Sequence, residues 1–117
     1  MLMLVQRGDV YRANLTPTEG PEQDGVRPVL IISRDAINRS SPLVVVVPLT
    51  DAANKTKTYP SHVRFKAGTG GLTMDSIALG EQIRAISKTR LKSKMGTLTR
   101  AEMASVEAAL KITLDLP

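Results

Sequence analysis

The apolar residues of this chain fall in short runs of strand length, and the connections between the runs are short as well. The longest runs are Val29–Ile32 and Leu43–Leu49. Parallel strands need crossover connections of about a dozen residues or more, usually with a helix, and these connections are too short for that. The sequence therefore predicts an antiparallel sheet. Its strands are expected at Asp9–Leu15, Pro28–Ser33, Leu43–Leu49, Ser61–Lys66 and Ser76–Ile86.

The end of the chain carries a helical pattern. Thr99 and Glu102 have the spacing of a capping box, in which each side chain bonds the backbone N–H of the other residue. The apolar residues that follow at helical spacing are Met103, Val106, Leu110 and Leu114. Strands followed by one helix predict a mainly β fold with a C-terminal helix, arranged as a small antiparallel barrel or curled sheet that the helix caps.

Several shorter segments interrupt this pattern. Gly80-Glu81-Gln82 breaks the last strand, which predicts a β-bulge. Asp35–Pro42 has the composition of a polar turn, and Asp51–Thr58 that of a polar loop. Gly68–Gly71 is interpreted as a turn, because it lacks the lysine and the helix start of a phosphate cradle. The segment Lys88–Met95 is predicted to form one or two helical turns that end at Gly96 in a C-cap position.

The length and the residue inventory limit the class of protein. At 117 residues the chain is expected to form a single domain, residues 1–117. It has no cysteine and one histidine, His62, which excludes disulfides, thiolate metal sites and multi-histidine metal cages. The apolar start Met1–Val5 is too short for a signal peptide, and no run approaches the ~20 residues of a membrane helix. A soluble cytoplasmic protein without membrane association is expected.

The net charge of +5 and the isoelectric point near 9.9 suggest an anionic partner, most commonly nucleic acid. The stretch from Gln82 to Arg100 has no acidic residue, and its basic residues are Arg84, Lys88, Arg90, Lys92, Lys94 and Arg100. A solvated surface explains this stretch as well as a binding patch does. Aromatic residues are few, which disfavours a protein that stacks rows of single-stranded bases.

The inventory also excludes several kinds of catalysis. Zinc hydrolysis and Cys–His catalysis need residues that this chain lacks, and it has neither a G-x-S-x-G motif nor a P-loop. Attack of an RNA 2′-hydroxyl on the adjacent phosphorus remains possible, because it needs neither a metal ion nor an imidazole and the substrate carries its own nucleophile. The protein then has to orient that group and stabilise a phosphorane with added negative charge.

A set of short motifs, in the same order and over almost the whole chain, resembles the MazF/PemK family of toxin endoribonucleases. The motifs are Arg7-Gly8-Asp9-Val10-Tyr11, Gly20–Ser33, Asn38–Pro42, Pro48-Leu49-Thr50, Pro60-Ser61-His62-Val63, and Asp75-Ser76 leading into Glu81-Gln82-Ile83-Arg84. The resemblance implies an SH3-like barrel of the CcdB/PemK plasmid-maintenance type. It also implies a homodimer with an RNA groove along the subunit interface.

The same resemblance implies the site residues. Arg27, in the segment Gly25-Val26-Arg27-Pro28, and Thr50, which closes the third strand, would be the catalytic pair. The RNA-binding residues would be Glu22, Gln23, Tyr59, Ser61, Gln82 and Arg84. No cofactor and no metal ion are implied. Pro21 departs from many relatives and removes one backbone N–H from the first loop, Thr16–Val26, which alters a surface that selects the RNA sequence.

The implied activity is that of an mRNA interferase, the toxin of a type II toxin–antitoxin module. Such an enzyme cleaves single-stranded RNA at selected sequences without a metal ion and leaves a 2′,3′-cyclic phosphate and a 5′-hydroxyl. Translation and growth are thereby inhibited. The implied partner is a small, acidic MazE-like antitoxin that lies over the basic groove. Contact with DNA would be indirect, through that antitoxin.

Elementary chemistry suits these roles. A guanidinium stays protonated to about pH 12, so Arg27 is expected to hold phosphate oxygens rather than to act as a general base. Pro28 restricts Arg27 to extended conformations, which fixes where its side chain leaves the backbone. Thr50 is β-branched and provides a stiff mount for a hydroxyl donor. Glu22 is the available carboxylate for accepting the proton of the 2′-hydroxyl.

Two other functions stay open on the sequence. One is a barrel of the CcdB type that poisons gyrase, an activity that resides in a C-terminal tail with tryptophan. This chain has no tryptophan and ends Leu114-Asp115-Leu116-Pro117. The other is a non-catalytic barrel that binds nucleic acid through the strip from Arg84 to Arg100. Its binding would weaken steeply with salt and survive an Arg27→Ala change.

Overall fold

The computed structural model describes residues 4–55 and 57–117. Residues 1–3 and Thr56 lie outside it, and with them part of the apolar start of the chain and one residue of the loop predicted at Asp51–Thr58. The strands of the described residues are paired in antiparallel fashion throughout. They are β1 Asp9–Asn14, β2 Val26–Ile31, β3 Leu43–Asp51, β4 His62–Phe65, β5 Ser76–Leu79, β6 Arg84–Ser87 and β7 Leu91–Thr97.

The strands lie in the order β4–β5–β3–β2–β1–β7, and β6 pairs with β3 beside this path. β3 pairs with two different strands along its length. Val44 pairs with Ile86 of β6, and Thr50 pairs with Ile77 of β5. Among the described strands the pairing does not close into a ring, because β4 and β7 stand at the two ends. The predicted fold class, a mainly β, barrel-like antiparallel sheet with a C-terminal helix, is confirmed.

The sheet is covered on both faces, which explains its continuous apolar runs. In β2, Val29 and Ile31 belong to one buried cluster, while Leu30 between them belongs to a second. Side chains alternate between the two faces of a strand, so an apolar run without interruption is expected only where both faces are buried. The second cluster also includes Met103 and Val106 of the C-terminal helix. The helix therefore covers one face of the sheet.

The C-terminal helix α2 spans Arg100–Leu114 and begins as predicted. The Thr99 hydroxyl accepts the N–H of Glu102 at 3.2 Å, and the Glu102 carboxylate accepts the N–H of Thr99 at 2.8 Å, which completes the capping box. The members of the predicted stripe that are buried or half-buried are Met103, Val106 and Leu110. Leu114 is exposed, so the stripe is wrong at its last member, which lies in the final turn beyond the buried cluster.

The strand predicted at Ser76–Ile86 is two strands, and the prediction of one strand with a bulge is wrong. A 3₁₀ turn at Gly80–Gln82 separates β5 from β6. A Cβ on Gly80 would stand 2.5 Å from the carbonyl oxygen of Ser61. The glycine therefore permits a close backbone approach at the point where the chain leaves β5.

Of the one or two helical turns predicted at Lys88–Met95, only a single turn at the start is present, and the rest of that prediction is wrong. Lys88–Arg90 form a single 3₁₀ turn, and the residues after it form β7, which pairs with β1. Gly96 is not a helix cap, because it lies in β7, and a Cβ on it would stand 2.5 Å from the carbonyl oxygen of Gly70. The glycine is required by packing against the turn at Thr69–Gly71, which is present as predicted.

The segment predicted as a polar turn, Asp35–Pro42, contains a short helix, α1 Asp35–Ser40. Its buried Asn38 accepts a 2.5 Å hydrogen bond from the Ser33 hydroxyl and donates to the Ser33 carbonyl oxygen at 2.8 Å. The Ser33 hydroxyl in turn accepts the N–H of Val45 at 3.0 Å. These polar residues form a buried junction between β2 and β3 rather than a solvated turn. No helix within residues 4–55 and 57–117 has both the length and the apolar content to cross a membrane.

Candidate active site

A cavity opens where strands β2 and β3 part. Their ladder ends at the pair Val29–Pro48. Pro28, next along β2, has no N–H to continue it, while β3 runs on to Asp51 and pairs with β5 along its opposite edge. The cavity has a volume of about 190 Å³. Its polar lining comes from Arg12, Arg27, Thr50, Asp51, Thr73 and Ser76.

The two residues predicted to be catalytic, Arg27 and Thr50, both line this cavity. The β2–β3 ladder ends before it reaches either residue, so the shared cavity and not a strand pair brings them together. Arg12 of β1 also lines the cavity, and it pairs with Pro28, the neighbour of Arg27 in β2. Two arginines from neighbouring strands thus border the cavity.

The loop before Arg27 holds its guanidinium. The residue is half-buried, and its Nε donates a 2.9 Å hydrogen bond to the carbonyl oxygen of Asp24. Within the described residues, no carboxylate oxygen lies within 4.0 Å of the guanidinium, and its terminal N–H groups make no hydrogen bond. The side chain is oriented through one edge, and its charge and terminal donors remain available to a ligand.

The carboxylate of Asp24 does not pair with Arg27. Its Oδ1 accepts from the Thr16 hydroxyl at 2.8 Å and from the N–H of Gly25 at 2.7 Å. The bond from Thr16, followed by that from Gly25, holds the pKa of Asp24 below its usual value against the opposing effect of desolvation, and the charge of Arg27 contributes less. The acidic side chain therefore folds the loop, while the backbone carbonyl positions the guanidinium.

Thr50 stands at the end of β3 with only 4% of its surface exposed. Its backbone is fixed by pairing with Ile77 of β5. No hydrogen bond joins its hydroxyl to another residue that the structure describes, and Thr50 is one of the residues that line the cavity. A rotamer-limited hydroxyl in this position is free to donate to a ligand in the cavity.

The other predicted RNA contacts of the first loop have different surroundings. Glu22 is exposed and does not line the cavity. The N–H of Gln23 donates to Oε1 of Gln82 at 2.8 Å, which joins the first loop to the turn between β5 and β6. In the part of the chain that the structure describes, the buried side-chain atoms without a hydrogen-bond partner are Oε1 of Gln23 and Nη1 of Arg84. Both belong to residues predicted to contact RNA.

Tyr59 and Ser61 belong to a second cluster, around Glu81. The Glu81 carboxylate accepts from the Ser61 hydroxyl at 3.1 Å and lies 2.9 Å from Nε2 of His62. The N–H of Tyr59 meets Nδ1 of His62 at 3.3 Å. Burial raises the pKa of Glu81, but the hydrogen bonds from His62, its own backbone and Ser61 outweigh it, so that pKa lies below its usual value. The carboxylate is the charged centre of the cluster.

The basic residues between Gln82 and Arg100 do not form one free patch. Nη1 of Arg90 donates to the carbonyl oxygens of Asn14 and Thr16, at the end of β1. Lys94 lies 3.3 Å from the buried carboxylate of Asp9, at the start of the same strand. Two cations of the strip therefore stabilise β1, which leaves fewer charges for nucleic acid than the sequence suggests.

Arg12 is a cavity-lining cation that the sequence analysis did not single out. The alternation of Asp9–Leu15 places it on the same face as Val10, and the structure buries Val10 while Arg12 is exposed. A cation on the same strand face as an apolar residue is visible in the sequence, but its place at the cavity depends on the opening between β2 and β3. Among the described side chains, no group of three or more His, Cys, Asp or Glu residues is placed to hold a metal ion.

Comparison with known proteins agrees with this geometry. The model of the PemK-like, MazF-like toxins of type II toxin–antitoxin systems matches residues 6–114. The chain is 47% identical over 113 residues to the endoribonuclease MazF of Staphylococcus epidermidis, which covers 97% of this chain and 93% of that protein. The similarity therefore includes every element around the cavity.

Solved structures show the same fold. MazF of Deinococcus radiodurans matches with a TM-score of 0.82 at 26% identity, over 97% of this chain and 99% of that one. An endoribonuclease from a mycobacterial species, in complex with its cognate antitoxin, matches with a TM-score of 0.79 at 30% identity, over 97% of each chain. The family match spans nearly the whole chain, which therefore belongs to the PemK-like, MazF-like toxins of type II toxin–antitoxin systems.

Proposed function

We propose that this toxin cleaves single-stranded RNA at selected sequences without a metal ion, with Arg27 and Thr50 as its catalytic pair. The similarity to the S. epidermidis enzyme over nearly the whole chain makes it an endoribonuclease. One observation carries the finer proposal. At the opening between β2 and β3, a guanidinium without a carboxylate partner and a hydroxyl without a protein partner, among the described residues, border one cavity.

In the proposed reaction, the 2′-oxygen of the substrate attacks the adjacent phosphorus and the bond from phosphorus to the 5′-oxygen breaks. The 2′-hydroxyl loses one proton and the departing 5′-oxygen gains one, so no water is consumed. The products are a 2′,3′-cyclic phosphate and a 5′-hydroxyl. Negative charge grows on the nonbridging oxygens in the transition state, and groups that bind this state more strongly than the substrate lower the barrier.

Arg27 supplies the positive charge in this scheme. Its Nε is occupied by the carbonyl oxygen of Asp24, so the terminal N–H groups are assigned to two nonbridging oxygens of the phosphate. A forked pair of charge-assisted hydrogen bonds of this kind fixes the phosphate as well as stabilising it. Because the carbonyl sets the guanidinium in advance, little reorganisation is needed when the charge develops.

Thr50 and Glu22 complete the scheme. The Thr50 hydroxyl is assigned as a neutral donor to the phosphorane, since it has no bond to a described residue to give up. Asp24 is occupied by Thr16 and Gly25, so the proton of the 2′-hydroxyl is assigned to Glu22. Glu22 lies on the exposed loop, and the assignment requires bound RNA to bring the loop and the 2′-hydroxyl together.

The proposed RNA surface extends from the cavity to the Glu81 cluster. Gln23 and Arg84 are assigned as RNA contacts, and because Oε1 of Gln23 and Nη1 of Arg84 are buried in the free protein, their side chains have to move when RNA binds. Tyr59 has 57% of its surface exposed and offers an aromatic face for one base. Ser61 and Gln82 lie on the two segments between these points and are assigned as polar contacts.

The biological setting follows from the family. We assign to this chain a single toxin domain, a homodimer, a cytoplasmic location without membrane contact, and inhibition of translation through cleavage of mRNA. A cognate acidic MazE-like antitoxin would cover the same cations, and DNA would be met only through it. The antitoxin-bound mycobacterial neighbour supports this partner.

The test is cleavage of a long single-stranded RNA in excess chelator, with analysis of the new ends. Cleavage should persist and give a cyclic phosphate and a 5′-hydroxyl. Arg27→Ala should abolish it and leave most of the RNA affinity, since many contacts share the binding energy. Arg39→Ala, on the exposed surface of α1, is the matched control. A 2′-deoxy nucleotide at the cleaved position should make the substrate inert, and cleavage of that substrate would overturn the mechanism.

A further inference from the structure

We infer that Glu81 is a positioning residue for RNA binding. It holds the segment Tyr59–His62, the turn Gly80–Gln82 and the first loop in a fixed arrangement that contacts the RNA. The inference rests on the proposed function and deepens it. Glu81 itself has 44% of its side chain exposed. Its importance lies in what its two oxygens hold.

Each carboxylate oxygen of Glu81 has its own donor. Oε1 accepts from the Ser61 hydroxyl at 3.1 Å, and Oε2 lies 2.9 Å from Nε2 of His62. The side chain of His62 is only 2% exposed, and its Nδ1 faces the N–H of Tyr59 at 3.3 Å. Nδ1 must therefore be the acceptor, and Nε2 carries the proton that is donated to Glu81. Glu81 thus orients a buried imidazole.

The imidazole in turn sets the direction of Tyr59. The two rings meet at an interplanar angle of 86° with 5.2 Å between their centroids, which is an edge-to-face contact. Tyr59 is the exposed ring assigned above to stack on a base. Its orientation therefore depends on Glu81 through His62.

The backbone carries the connection onward to the first loop. The N–H of Gly80 donates to the carbonyl oxygen of Ser61 at 2.9 Å. This backbone hydrogen bond joins the turn Gly80–Gln82 to the segment Tyr59–His62, in addition to the side-chain contacts of Glu81. The turn ends at Gln82, whose Oε1 accepts the N–H of Gln23 at 2.8 Å. A displacement of the turn would move Gln23, which belongs to the loop that orients Arg27.

A carboxylate suits this position because it accepts from both of its neighbours and its charge strengthens both hydrogen bonds. An amide in its place has one oxygen and one NH₂ group, so the oxygen can still accept from His62 but the Ser61 hydroxyl has to turn from donor to acceptor. Glu81→Gln therefore keeps the size of the side chain, reverses the Ser61 contact and replaces charge-assisted hydrogen bonds with weaker neutral ones. In the wild type these segments are ordered before RNA binds, so RNA binding does not carry the entropy cost of ordering them. Loss of this order should therefore affect RNA binding and sequence selectivity more than the chemical step.

The experiment compares Glu81→Gln with Glu107→Gln in the full chain. Glu107 is a matched control, because it has 45% of its side chain exposed and pairs with Arg7 at 2.8 Å, away from the proposed RNA surface. A mixture of RNAs covering many short sequences reports both the rate and the sequences cut. Glu81→Gln should raise KM and lower kcat/KM by about tenfold, with a broader set of sequences cut, while kcat changes little. Glu107→Gln should match the wild type.

A second readout needs no RNA. In amide hydrogen exchange or NMR of the free protein, Glu81→Gln should change the signal of the Gln23 N–H, and Glu107→Gln should not. The inference is overturned if Glu81→Gln leaves KM, the sequences cut and the Gln23 amide unchanged. It is also overturned by a loss confined to kcat, which would give Glu81 a role in the chemical step. A wild-type protein that cuts no RNA would instead refute the proposed function.

Discussion

The Nε of Arg27 donates a 2.9 Å hydrogen bond to the carbonyl oxygen of Asp24, three residues earlier in the chain. The carboxylate of the same Asp24 folds the loop by accepting from Thr16 and Gly25. The acidic loop before Arg27 therefore positions the guanidinium without forming an ion pair with it. A direct ion pair would compete with a phosphate for the same donors, whereas a bond from Nε to a carbonyl leaves the terminal donors available.

Arg27→Lys tests whether this arrangement requires a guanidinium. A lysine ammonium is a point charge on a flexible stem and cannot bond the Asp24 carbonyl while forking two phosphate oxygens. We expect single-turnover cleavage to fall about a hundredfold, as when an oxyanion donor is lost, while RNA affinity changes little. Arg39→Lys on α1 is the control. A cleavage rate within about twofold of wild type for Arg27→Lys would show that charge alone suffices.

Thr50→Val removes a hydroxyl that has no hydrogen bond to a described residue and keeps the branched shape of the side chain. Removal of an unpartnered polar group should leave the free energy of unfolding unchanged or slightly increased. Cleavage should fall about a hundredfold, because a donor to the developing charge is lost. Denaturant unfolding and single-turnover cleavage measure the two effects.

Thr50→Ser supplies the matched comparison, since it keeps the hydroxyl and loses the methyl group. We expect it to retain more activity than Thr50→Val although it packs less well. If the serine variant were the less active of the two, packing at the end of β3 rather than hydroxyl donation would explain the importance of this residue.

Local patterns were sufficient for part of the fold. The capping box at Thr99 and Glu102 involves neighbours in sequence and was predicted correctly. Gly96 was misassigned as a helix cap because its cause, the backbone of Gly70, lies 26 positions away in the chain. The break at Gly80 was seen in the sequence, but its geometry depends on the approach of Ser61. Local sequence patterns therefore predict where some elements begin, whereas the structural roles of Gly80 and Gly96 depend on backbone contacts with residues distant in the sequence.

The candidate site shows the same division. Pro28 marks the end of the β2–β3 ladder and is visible in the sequence, but the cavity is also lined by Thr73 and Ser76, which no local pattern places beside Arg27. The assignment of Arg27 and Thr50 as a catalytic pair comes from the family resemblance and stays a prediction. The sequence does not predict Arg12 as a site residue, because its position beside the cavity depends on the arrangement of three strands.

The pKa of Asp24 is held below its ordinary value of 3.8, first by the Thr16 hydroxyl and then by the N–H of Gly25. A lowered pKa in the folded chain means that the unfolded chain binds the proton more readily. The carboxylate therefore contributes stability above pH 3.8, which is lost as the pH falls through the lower, folded value. Thr16, Gly25, Thr18 and Arg27 are the groups that favour its charged form.

The measurement is the difference in unfolding free energy between wild type and Asp24→Asn as a function of pH. We expect a constant positive difference from about pH 7 to about pH 5, which shrinks toward zero below the ordinary pKa of aspartate. Glu19→Gln, on the same loop, is the control for the removal of an exposed carboxylate. A difference that grows on acidification would contradict the assigned direction.

Gly96→Ala tests the contact that replaced the predicted helix cap. A Cβ on this residue would stand 2.5 Å from the carbonyl oxygen of Gly70 and 2.6 Å from its carbon, both of which are backbone atoms that cannot rotate away. The strand β7 or the turn at Thr69–Gly71 must then shift, and we expect denaturant unfolding to show a loss of about 1–3 kcal/mol. Ser93→Ala, exposed on the same strand, should change stability by no more than about 0.5 kcal/mol. If Gly96→Ala were as stable as Ser93→Ala, the backbones of Gly96 and Gly70 would not be in close contact. The packing of β7 against the turn at Thr69–Gly71 would then be wrong.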